Sequence, residues 1–63
     1  MNGFAKSIKE ILTSNGFYLS RMGKGSHEVW KHNDGRQVAV NNICKSRHTA
    51  NAIMKEAKIS YKF

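Results

Sequence analysis

The stretch His27-Glu28-Val29-Trp30-Lys31-His32-Asn33-Asp34-Gly35-Arg36-Gln37-Val38-Ala39-Val40-Asn41 reads as a β-hairpin, and the rest of the chain is organised around it. Val29 and Trp30 favour a sheet, and Val38 and Val40 share one face of a two-residue period. Between the two runs stands Asn33-Asp34-Gly35, a strong turn signal because Gly35 can take a positive φ beside Asp34. The expected strands are 27–32 and 37–41. Positions 27 and 30 of a strand point to opposite faces, so Trp30 looks away from His27 while Val29 shares its side. Which side meets the core depends on register, which spacing alone leaves open. Trp30 is read as core, with stacking on a base as the alternative.

Working outward, Phe17-Tyr18-Leu19 begins another strand, which leads through Arg21 into the turn Met22-Gly23-Lys24-Gly25-Ser26. Before it, Phe4, Ile8, Ile11 and Leu12 fall on one helical face, which predicts a helix near 3–14. Asn2 can cap its start, and Asn15-Gly16 supplies a left-handed stop. Beyond the hairpin, Ala50, Ile53, Met54 and Ala57 predict a second helix over about 48–57, with Thr49 as cap or first-turn residue. Ile59 is expected to pack back on it and Ser60–Phe63 to form a tail. Neither helix can bury its stripe alone at this length. The expectation is one α+β domain over 1–63: a two-layer α-β-β-β-α arrangement, its three-stranded antiparallel sheet carrying both helices on one face.

At 63 residues the chain buries only about 60% of the surface it exposes unfolded, which excludes a deep multi-site enzyme. A single cysteine, Cys44, rules out an internal disulfide, and no apolar run approaches a membrane span. No signal-peptide pattern is seen, and the expected location is the cytoplasm. The net charge of +7 points to a polyanionic partner, nucleic acid first. Most of that charge lies in the middle of the chain, on Arg21, Lys24, Lys31, Arg36, Lys45 and Arg47.

Gly23-Lys24-Gly25-Ser26-His27 is the segment best suited to chemistry. Glycines let a backbone approach a phosphate, consecutive amides can hold an anion, and Lys24 adds a cation. His27 follows at the start of a strand, and an imidazole exchanges protons near neutral pH. Together they form a minimal kit for transesterification of RNA, in which a base takes the proton of a ribose 2′-hydroxyl and cations stabilise the phosphorane. A hairpin loop with a solvated histidine is the plainer reading. The glycines do not make a nucleotide P-loop, because Gly25 interrupts the motif and a strand follows. His27 and His32 are misspaced for a zinc helix, and Cys44 with His48 lacks a second ligand pair, so no metal is expected. Lys45-Ser46-Arg47-His48 reads equally as a phosphate contact at a helix start or as a solvated cap.

Phe17-Tyr18-Leu19, Arg21, Gly25-Ser26-His27, Trp30 and His32, in this order, are similar to the signature of HicA-type toxins, the ribonuclease half of bacterial toxin–antitoxin pairs. His48–Ala57 resembles their second helix, and the similarity runs from Ile8 to Ile59. The resemblance implies a fold like that of double-stranded-RNA-binding domains and metal-independent cleavage of mRNA without a cofactor. It also implies neutralisation by a HicB-type antitoxin. His27 matches the catalytic histidine of the family, and Gly25 and Ser26 match the turn that presents it. Two positions depart from the pattern. Asn41-Asn42 stands where many members have proline, so the start of the second helix is expected to be looser or differently placed. Lys58 stands where many have glycine, so that helix is expected to end under strain or run on. The combined expectation is an endoribonuclease toxin with His27 as general acid/base and RNA contacts from Lys24, Gly25, Ser26, Lys31, Arg36, Lys45 and Arg47. The alternative is a non-catalytic RNA-binding module of the same fold.

Overall fold

The apolar stripe of the first segment does form a helix, α1 (Ala5–Ser14), with Ile8 and Leu12 fully buried. A computed structural model describes residues 3–63, so the expected Asn2 cap lies outside the described residues. The start of α1 is tied by a distant loop, the Phe4 amide donating to the Cys44 carbonyl at 2.7 Å. At the other end Gly16 has φ +90°, and a Cβ there would stand 2.9 Å from His32 Nε2. Glycine is therefore required at 16 both for the turn and for room.

Three strands follow, β1 (Phe17–Met22), β2 (His27–His32) and β3 (Gln37–Asn41), in spatial order β1-β2-β3 and antiparallel throughout. The last element is α2 (Arg47–Glu56), within a residue of expectation at each end. Its cap is Ser46, whose hydroxyl accepts from the Thr49 amide, so Thr49 is a first-turn residue. This is the expected α-β-β-β-α domain. Both helices cover one face of the sheet, where Phe17, Trp30, Val38 and Val40 meet Ile8, Leu12, Ala50, Ile53, Met54 and Ala57. Trp30 is thus core, and so is Cys44.

Lys58 does adopt the left-handed conformation, at φ +59°. The bonds Lys58 N–H to Lys55 O and Ile59 N–H to Met54 O form a Schellman closure, so α2 stops rather than running on. Ile59 folds back on the core as expected. The last residues are more than a tail: the Phe63 ring packs edge-on against Phe4, and its amide donates to Asn51 Oδ1 at 2.7 Å.

Candidate active site on the open sheet face

Burial fixes the register that spacing left open. On β2, Glu28 and Trp30 are buried toward the helices, so His27, Val29 and Lys31 stand on the uncovered face. On β3, Gln37, Ala39 and Asn41 occupy the same face opposite them. β1 contributes less regularly. Phe17 and Leu19 lie opposite His32 and Trp30, which are core-facing positions, yet Arg21 pairs with Val29. A bulge between Leu19 and Arg21 shifts the register by one residue. Without it Arg21 would fall on the helix side; with it Arg21 joins the open face.

His27 is exposed at the first position of β2, presented by a closed turn. The Gly23 amide donates to the His27 carbonyl at 2.8 Å, and the His27 amide to the Lys24 carbonyl at 3.2 Å. Gly25 holds φ +61° between them. The same Lys24 carbonyl lies 3.2 Å from His27 Nδ1. A carbonyl only accepts, so this bond belongs to the tautomer with its proton on Nδ1, which leaves the Nε2 lone pair for chemistry.

Behind the turn lies a polar network centred on the buried Glu28 and the exposed Asn42. Asn42 donates to the Ser26 carbonyl from its backbone amide at 2.9 Å and from its side chain at 3.0 Å. Asn42 Nδ2 also donates to Glu28 Oε2 at 2.9 Å, and Trp30 Nε1 donates to Glu28 Oε1 at 3.0 Å. Lys9 of α1 donates to Asn42 Oδ1 at 2.7 Å and stands 3.6 Å from Glu28. The Asn42 hydrogen bond, helped by Trp30 and Lys9 and opposed by burial, holds the Glu28 carboxyl below its ordinary range. The segment expected to be loose at Asn41-Asn42 is therefore fastened to both the turn and α1. A proline at 42 could not donate the backbone bond.

The expected site residues divide into three groups. Lys24 and Gly25 are exposed in the turn beside His27, and Ser26 is half-buried with its carbonyl held by Asn42. Lys45 and Arg47 are exposed in the segment that leaves Asn42, at the same end of the sheet. Lys31 shares the open face, four residues along β2, or about 13 Å from His27. Arg36 joins none of them. It bonds Asp34 Oδ2 at 2.7 Å, donates to the Ala57 carbonyl that ends α2, and lies over the Phe17 ring at 5.1 Å. Its cation belongs to the fold.

Sequence reasoning passed over Glu28 and Asn42, which hold the turn, and did not place Arg21 on the face that carries His27. Period-two spacing held the signal for Glu28, since a core Trp30 obliges Glu28 to be buried and partnered.

A small two-layer domain with an exposed histidine at a glycine turn, on a basic and uncovered sheet, is the class of protein these features define. The model of the family described as the HicA toxin of bacterial toxin–antitoxin systems matches residues 5–59. The chain belongs to the HicA toxin family, and as one half of a toxin–antitoxin pair it implies an antitoxin partner. No curated protein and no solved structure matches it. Among the described residues no helix is long and apolar enough to cross a membrane.

Proposed function

We propose that this HicA-family toxin is a metal-independent endoribonuclease that cleaves mRNA in the cytoplasm, arresting translation and growth until a HicB-type antitoxin covers it. His27 Nε2 takes the proton of a ribose 2′-hydroxyl, and the oxygen attacks the adjacent phosphate. The P–O5′ bond breaks, leaving a 2′,3′-cyclic phosphate on one fragment and a 5′-hydroxyl on the other. The protonated imidazole returns its proton to the leaving oxygen. Lys24 and the amides around Gly25 and Ser26 bind the phosphate and oppose its growing charge, while Lys31, Lys45 and Arg47 hold flanking phosphates. Arg36 is left out of this set because its guanidinium is already engaged.

One observation carries the reading: an exposed imidazole whose Nδ1 is tied to the Lys24 carbonyl, beside a cation and a glycine turn. The test compares RNA cleavage by the parent and by His27→Ala in the presence of a chelator, with product ends mapped. Cleavage by the parent alone, giving cyclic phosphate ends and sparing a 2′-deoxy linkage, is expected. RNA that binds without shortening would favour the non-catalytic module instead.

A further inference from the structure

We infer that the open face of the sheet is a track for single-stranded RNA, with Tyr18 as a stacking platform and Arg21 and Lys31 as phosphate contacts leading to His27. The inference rests on the proposed reaction, whose chemistry sits at one end of the same face.

The face is laid out in three rows. His27 stands opposite Asn41; Arg21, Val29 and Ala39 form the next row; Tyr18, Lys31 and Gln37 form the third. Same-face positions along a strand are about 6.7 Å apart, and the three strands span about 10 Å in width. That is a narrow strip, floored in the middle by the small apolar side chains of Val29 and Ala39.

Its charge has one sign. All four carboxylates of the chain lie elsewhere: Glu10 on α1, Glu28 toward the core, Asp34 in the β2–β3 turn and Glu56 at the end of α2. The ion pairs among the described residues engage Lys9 and Arg36, not Arg21 or Lys31. The bulge strengthens the case, because it moves Arg21 onto the face that holds His27. Arg21 is the direct neighbour of Val29 and thus diagonal to His27, within the reach of a long side chain.

Tyr18 decides the form of the RNA. It is 47% exposed, directly across from Lys31, and offers a ring to a base. Only an unpaired base can lie on it, since a duplex keeps its bases stacked on one another.

The experiment separates binding from cleavage by using the His27→Ala protein, which keeps RNA intact. Affinity for a fluorescent single strand of about ten nucleotides is measured by anisotropy across a salt series. Tyr18→Ala is expected to weaken binding about tenfold. Arg21→Ala and Lys31→Ala should each reduce the slope of log affinity against log salt by about 0.7. Lys6→Ala and Lys55→Ala, on the helix layer, should cost less than either. A duplex of the same sequence should compete poorly. Open-face replacements that bind like their parent, helix-layer replacements that cost as much, or a duplex that competes equally would each overturn the track. If His27→Ala cuts like the wild type, the proposed reaction falls whatever the binding shows. If His27→Ala is inactive while the open-face replacements bind normally, the track alone falls.

Discussion

Two histidines close the two ends of β2, and their surroundings assign them opposite work. His27 is exposed on the open face, and its Nδ1 donates to the Lys24 carbonyl, which leaves the lone pair on Nε2. His32, five positions on, falls on the helix side. Its ring packs edge-on against Phe17 at 5.1 Å, and its Nδ1 accepts from the Asp34 amide at 3.1 Å. Accepting there places the proton on Nε2, the reverse tautomer. The odd spacing sends one imidazole to solvent and the other into the structure, so residue type alone says nothing about role. The turns beside them differ in the same way. His32, Asp34 and Arg36 knit the β2–β3 turn to Phe17 and to the end of α2. The β1–β2 turn keeps the side chains of Lys24 and His27 exposed and is braced only from behind, through Asn42.

The sharpest way to break this contrast is to remove each ring in turn. His27→Ala should lower RNA cleavage by at least about 100-fold, the scale of a lost general base, with the thermal midpoint nearly unchanged. His32→Ala should do the opposite, costing about 1–2 kcal/mol in denaturant unfolding while the folded fraction cleaves normally. A folded but inactive His32→Ala protein would contradict the division of labour.

Asn42 tests whether the brace matters to the chemistry. Replacing it with alanine removes two bonds from Glu28 and the Ser26 carbonyl and leaves a buried carboxylate short of partners. A loss of about 1–3 kcal/mol is expected. Cleavage should fall in turnover more than in RNA affinity, because Asn42 holds the Ser26 carbonyl and so positions the turn. Equal losses in both would mean that the network stabilises the domain without aiming His27.

Much of this was legible in the residues. The strand residues Phe17-Tyr18-Leu19, the period-two run of Val38 and Val40, the Asp34-Gly35 turn and the stripes of both helices place every element, because each is a local signal. The candidate base was legible too, since Gly25-Ser26-His27 lies in a turn that any antiparallel pairing would expose. The features that spacing does not report share a cause. The engagement of Arg36 in the fold was not legible, because its partners Phe17 and Ala57 are far away in sequence. The face on which Arg21 lies was not legible, because a one-residue bulge decides it and no spacing rule reports a bulge. Asn42 looked like a weak replacement for proline because its partners, Ser26, Glu28 and Lys9, come from three other segments.

The hydrogen-bonded carboxylates also predict a response to acid. The folded protein holds the carboxyl groups of Glu28 and Asp34 below their ordinary values, chiefly through the Asn42 side chain and the Arg36 backbone amide respectively. A group depressed on folding contributes its stability fully above its unfolded pKa, and that contribution fades as pH falls through the lower folded value. The thermal midpoint should therefore drop as the solution is acidified below about pH 4, where free carboxylates take up protons. Glu28→Gln should flatten part of that fall. An unchanged acid profile in this variant would show that the site end of β2 carries none of the acid sensitivity and that the Asp34 turn accounts for what remains.

The smallest effect separates the helix layer from the open face. Lys58 holds a left-handed backbone at φ +59° in a closure that glycine fills without steric cost. The strain on a residue with a Cβ is about 1–2 kcal/mol, and glycine gives part of that back through its greater freedom when unfolded. Lys58→Gly should therefore raise stability by about 0.5–1 kcal/mol in denaturant melts. Cleavage by the folded protein should not move, because Lys58 lies at the end of α2, across the sheet from His27. A gain in stability accompanied by a loss of activity would mean that the Lys58 charge reaches the RNA after all, and that the substrate wraps beyond the open face.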